Sequence, residues 1–128
     1  MPEESPDLVF SSNFFEHLPT KPALEATLAQ AYRSLKKGGR LIAMGPNIRF
    51  LPGAYWDFWD HHIPLTEASL RELLRLQGVG VEGCWPRFLP YTISGGRRFP
   101  IAALRLYLRL RPMWLVFGRQ FLLIVRKP

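Results

Sequence analysis

DLVFSSNFFEHLPTKPALEATLAQAYRSLKKGGRLIAMGPN, residues 7–47, has the rhythm of strand, loop, helix, turn and strand. Leu8, Val9 and Phe10 form a short apolar run without alternation, which predicts a parallel strand buried on both faces. Ser11 to Pro19 then leaves the carboxyl end of that strand. Leu24, Leu28, Ala31, Tyr32 and Leu35 recur at helical spacing, and Pro22 falls in the first turn, where its missing N–H costs nothing. Lys36 and Lys37 suit the negative end of the helix dipole, and Gly38 supplies a left-handed cap. Arg40 to Gly45 returns as a strand. The unit is βαβ, and in such sheets ligands collect at the carboxyl ends of the strands.

Beyond it lies Pro46 to Pro64 (PNIRFLPGAYWDFWDHHIP), too long and too apolar for a plain connector. Its Tyr55, Trp56, Phe58 and Trp59 suit either a plug for the sheet end or a lid over a substrate. Thr66 is an N-cap, Glu67 favours the positive end of the next helix, and Leu70, Leu73 and Leu74 form its buried stripe up to Gly78. Val79 to Arg87 reads as an edge or bulged strand because of Gly80, Gly83 and Pro86. A turn-rich link, 90–100, follows. Ile101 to Arg111 fits helix or strand by pattern; Ala102, Ala103 and the leucines favour a helix ended by Pro112. Phe121 to Val125 is a buried strand by composition.

At 128 residues, 48% of them hydrophobic, one globular domain spanning 1–128 is expected. The single cysteine, Cys84, excludes an internal disulfide and is expected to be a buried or half-buried thiol. Met1 to Pro6 lacks the positive and apolar character of a signal peptide, and no apolar run reaches bilayer length, so a cytoplasmic location is expected. Charge is uneven. Residues 1–96 hold 9 Lys/Arg and 10 Asp/Glu, whereas residues 97–128 hold 8 Lys/Arg and no acid. Residues 97–119 form a basic aromatic insertion in which Arg97, Arg98, Arg105, Arg109, Arg111 and Arg119 accompany Phe99, Tyr107, Trp114 and Phe117. Planar guanidinium groups with aromatics suit an anionic ligand or a membrane surface. Lysine is nearly absent there, so nucleic acid is not expected.

The series DLVFSSNFFEHL, LKKGGRLIAMGPN, DHHIPLTEASLRELLRLQG and FGRQFLLIVRKP resembles the carboxyl-terminal half of class I (type 11-like) S-adenosylmethionine-dependent methyltransferases. The resemblance implies an α/β fold: a partial Rossmann-like sheet of the family's strands four to seven, flanking helices and an extra basic helical segment. It implies methyl transfer from S-adenosylmethionine to a small-molecule acceptor, which the arginines suggest is anionic or lipid-linked. The family's first strand, glycine-rich loop and acidic ribose-binding residue belong before Asp7, where six residues stand. The expectation is therefore half a cofactor site, with an apolar edge at residues 7–11 open to a second copy or a partner chain. A non-catalytic dimerisation module and a peripheral membrane-binding protein are the rival readings.

By position in that family, Ser12, Asn13 and Phe14 are the cofactor-binding candidates. His17, Asn47, Tyr55, Trp56 and Trp59 are the expected substrate contacts. Asp60, His61 and His62 are the catalytic candidates, one neutral imidazole oriented by Asp60 serving as general base. The other reading is that Asp60 and one histidine only pin the loop. Some quinone-precursor O-methyltransferases of the superfamily hold a divalent cation in a Glu-x-x-Glu-His loop. Here Asn13 replaces the first glutamate, and Asn13, Glu16 and His17 form a poor set for a hard cation, so no metal is expected. HEXXH, P-loop and G-x-S-x-G patterns are absent from the sequence.

Overall fold

The computed structural model describes residues 5–90 and 101–128. Residues 1–4 and the link 91–100 lie outside the described residues, and with them Arg97, Arg98 and Phe99 of the basic segment. Strand β1 (Leu8–Ser12) leads through a 3-10 turn (Phe15–His17) into α1 (Lys21–Ser34) and β2 (Arg40–Pro46). Two further 3-10 turns precede α2 (Glu67–Leu76) and β3 (Val81–Trp85); α3 (Ile101–Arg109), α4 (Arg111–Phe117) and β4 (Gln120–Arg126) complete the order.

The four strands form one sheet in the order β1-β2-β4-β3. β1 runs parallel to β2, with Phe10 opposite Ile42, and β4 is antiparallel to both of its neighbours. The local chemistry explains the crossover. Thr20 accepts from Ala23 N–H at the start of α1, with Pro22 in the first turn. Gly38 takes φ +80°, and a Cβ on Gly39 would press within 2.9 Å of Lys36 O and 3.1 Å of Asp7 O. The Gly-Gly turn is what lets α1 re-enter the sheet beside β1.

Leu41, Ala43, Phe121, Leu123 and Val125 on one sheet face pack with Leu24 and Leu28 of α1 and Leu70 and Leu74 of α2. The other face is different. Leu8 is 52% and Phe10 60% exposed, and Ile42, Met44, Leu122 and Ile124 are only half-buried. The expectation that residues 8–10 are buried on both faces is thus corrected. β1 pairs on one side alone, and among the described residues no helix covers Leu8 and Phe10. β3 carries the expected irregularity, a register shift between Val81 and Gly83. Cys84 is half-buried, and burial pushes its thiol pKa up.

The helical option for residues 101–111 holds, with one change. α3 stops at Arg109, and Pro112 sits in the first turn of α4 rather than ending a single helix. Proline lacks only a donor that a first turn does not use. Tyr107 hydroxyl donates to Phe88 O at 2.5 Å, and Trp114 Nε1 donates to Tyr107 O at 2.9 Å, tying both helices to the segment after β3.

Candidate functional site

The site lies at the carboxyl ends of β1 and β2. Asn13 N–H donates to Met44 O at 2.9 Å, extending the β1–β2 pairing by one bond. Asn13 then turns the chain with φ 52°, a left-handed conformation that asparagine tolerates better than most residues. Phe14 is half-exposed beside Phe15, whose ring belongs to the core. Ser12, Asn13 and Phe14 therefore stand where the sequence places them, at the rim of a parallel strand pair.

The 3-10 turn sends Glu16 inward, leaving it 1% exposed. Gly45 makes room: a Cβ there would lie 3.4 Å from Glu16 Oε2 and 3.4 Å from the Phe121 ring. Burial pushes the Glu16 pKa up, against a smaller opposing effect of its hydrogen bond to backbone. Its carbonyl accepts from His62 N–H (2.8 Å) and Ile63 N–H (3.3 Å), which lays the aromatic loop onto the turn.

Two imidazoles flank this carboxylate. His17 Nδ1 stands 3.0 Å from Asp60 O and 3.2 Å from Asp60 Oδ2, while its Nε2 is 3.5 Å from Glu16 Oε1. His61 is buried, its Nδ1 lies 2.7 Å from Tyr55 O, and its ring stacks on Phe58 and meets His17 edge-on at 5.0 Å. Burial lowers the His61 pKa, only partly offset by the bond to Tyr55. A neutral ring with one nitrogen tied down suits proton acceptance at the other.

Placement corrects several expectations. Asp60 orients His17, not His61 or His62, because the loop turns its carboxylate toward the 3-10 turn. His62 is exposed. Asn47 and Tyr55 are 0% exposed, so they build the site rather than touch a substrate. Asn47 Nδ2 donates to Glu67 Oε2 (2.6 Å) and Pro86 O (3.1 Å), and the Tyr55 hydroxyl donates to Ile63 O. Trp56 leans edge-on against Tyr55, whereas Trp59 is 97% exposed and plugs nothing. The sequence reading weighed Glu16 as a poor cation ligand and Glu67 as a first-turn residue, and did not foresee the burial of either carboxylate. Gly45, a glycine inside an apolar strand, was the available signal for the first, since it marks close approach of another group.

A family model described as a methyltransferase domain matches residues 1–43. Three solved structures align over nearly the whole chain. A SAM-dependent methyltransferase from Archaeoglobus fulgidus matches at 17% identity and TM-score 0.64, over 99% of this chain and 62% of its own. A Haloferax volcanii complex of the Trm112 methyltransferase activator and a methyltransferase matches at 21% and 0.64, over 97% and 54%. The N-methyltransferase NodS from Bradyrhizobium japonicum, solved with S-adenosyl-L-homocysteine, matches at 11% and 0.57, over 95% and 46%. This chain has the class I methyltransferase fold. No curated protein matches the sequence. The chain thus spans between 46% and 62% of those three methyltransferase structures. Within the methyltransferase sheet, β1, β2, β4 and β3 are the expected strands four, five, seven and six.

Proposed function

We propose that this chain forms the acceptor side of an S-adenosylmethionine-dependent methyltransferase acting on a small molecule held at a membrane surface. The observation that carries this is the parallel β1–β2 pair. The chain leaving the carboxyl end of β1 runs from Ser12, Asn13 and Phe14 into Glu16 and His17, and the His17 ring meets His61 edge-on. In methyl transfer the sulfonium of the cofactor supplies the leaving group, so the protein's work is alignment, proton removal and exclusion of water. Ser12 and Asn13 would border the methionine part and Phe14 would cover it. The free nitrogens of His17 and His61 would take the proton of an attacking hydroxyl or amine. Trp56, half-exposed on the same loop, is the remaining substrate contact.

The adenosine and ribose contacts would come from polypeptide packed against β1. Leu8 and Phe10 on that strand are the apolar surface such polypeptide would cover, and a second copy of this chain can serve as cover in solution. Calorimetric titration with S-adenosylhomocysteine tests the first part: we expect binding that weakens at least about tenfold in Phe14→Ala, the cost of one buried aromatic contact. Binding unaltered by that change sinks the cofactor assignment. Light scattering tests the second. The chain should associate as concentration rises and Phe10→Glu should stay monomeric; a monomeric wild type at millimolar concentration refutes the open-edge reading.

The exposed side chains of α3 and α4 support the membrane part of the proposal, a cytoplasmic membrane face. No helix among the described residues is long and apolar enough to cross a membrane. α3 and α4 instead leave Leu104, Leu106, Leu108, Leu115, Val116 and Phe117 exposed among Arg105, Arg109 and Arg111. Arginines and apolar side chains in alternation suit a lipid interface, and a lipid-linked acceptor would be presented there.

A further inference from the structure

Glu16, His17 and His61 come together from two separate loops, with one ligand atom of each within 4.8 Å of the others. Their hydrogen bonds decide what those atoms offer. A backbone carbonyl can only accept, so Asp60 O beside His17 Nδ1 and Tyr55 O beside His61 Nδ1 each fix the ring proton on Nδ1. Both Nε2 atoms are left with a lone pair. The third member is also an acceptor: Glu16 Oε1 is buried without a hydrogen-bond partner, 3.5 Å from His17 Nε2. A buried carboxylate oxygen without a donor, beside two imidazole lone pairs, is unfavourable unless a cation or a proton joins them.

We propose that Glu16, His17 and His61 bind a divalent cation of the zinc class, leaving a coordination position for water or an acceptor oxygen. Two imidazoles and one carboxylate are the donor set such ions favour; magnesium and calcium require more oxygens. In a tetrahedral site with bonds of about 2.0–2.1 Å, ligand atoms stand about 3.4 Å apart. The Glu16–His17 spacing of 3.5 Å already matches this, and the His61 ligand atom has to close in from within 4.8 Å. The surroundings have the form of a supporting shell. Asp60 holds His17 through both its carbonyl and its carboxylate, and Tyr55 O holds His61, which leaves Nε2 of each ring outside these bonds. Sequence spacing hides this site, since the third ligand is His61 and not Asn13. A bound cation would occupy the lone pairs otherwise available to a base and would hold the acceptor oxygen directly. The inference does not rest on the methyl-transfer reading, because its test is metal binding itself.

The untagged chain, stripped with chelator, is titrated with Co(II) while its visible d–d absorption is followed, and Zn(II) is then added in competition. One equivalent of cobalt should bind with the intense bands of a low-coordinate site and be displaced by zinc. Glu16→Gln and His61→Gln should each weaken binding by more than about tenfold, Asp60→Asn by about tenfold through loss of support for His17, and His62→Gln not at all. Circular dichroism checks folding of each variant. Asp60 is exposed, so Asp60→Asn remains informative if a buried change unfolds the chain. A missing cobalt spectrum means that a proton alone joins the three groups, and the proposal fails. It fails equally if binding ignores Glu16, Asp60 and His61 or follows His62.

Discussion

Asn47→Ala is expected to destabilise the chain by about 3 kcal/mol, lowering its melting temperature by roughly 10 °C. Asn47 is fully buried at the end of β2, where four segments meet. Its Nδ2 bonds Glu67 at the start of α2 and Pro86 after β3, its Oδ1 accepts from Arg49 N–H, and its own N–H donates to Arg119 O before β4. Alanine removes the three side-chain bonds and strands one oxygen of the buried Glu67 carboxylate, whose other oxygen keeps Arg49 at 3.0 Å. Leaving buried partners unsatisfied costs about 1–3 kcal/mol each, less whatever water recovers. Asn47→Asp should be worse, because it sets a second carboxylate against Glu67. Arg49→Ala should cost under about 1 kcal/mol, since Arg49 is half exposed. Thermal melts by circular dichroism give the comparison. A loss below about 1 kcal/mol for Asn47→Ala would mean that this junction does not hold the sheet to α2.

The contrast between Asn47 and Glu16 shows where a sequence speaks and where it falls silent. The βαβ unit was legible because local rules agree: an apolar run, a helical stripe from Leu24 to Leu35, and a Gly-Gly turn at the helix end. The last strand was legible from FLLIV. Exposure of Leu8 and Phe10 was only half visible, since an apolar run specifies what a strand can bury and not whether anything covers it. Pairing among distant side chains was not legible at all. Nothing in the spacing tells that Asp60 reaches His17 while His62 faces solvent, or that Asn47 is drawn wholly inside by Glu67. Those outcomes depend on how the loop between β2 and α2 lies across the 3-10 turn, and that is set by two backbone bonds to Glu16 O.

Arg105→Glu combined with Arg109→Glu should weaken binding to anionic vesicles by about a thousandfold. Each basic residue near an anionic surface contributes about 1 kcal/mol, and two reversals alter four charges, giving about 4 kcal/mol. The two arginines lie one helical turn apart on one flank of α3, and both are exposed. Leu104 and Leu108 recur at the same spacing, so the charges and the apolar side chains can meet a surface together. The apolar part should act independently of charge: Leu115 is 68% exposed and Phe117 53%, and Leu115→Asp with Phe117→Asp should reduce binding even to neutral vesicles. Co-sedimentation with phosphatidylserine-containing and purely phosphatidylcholine vesicles, at low and high salt, separates these contributions. Salt should erase most of the difference between the two lipids, because exposed charges are screened beyond about 10 Å at 0.1 M. If the doubly reversed chain sediments with anionic vesicles as well as the wild type does, α3 and α4 face protein rather than lipid, and the membrane-held acceptor is lost with them.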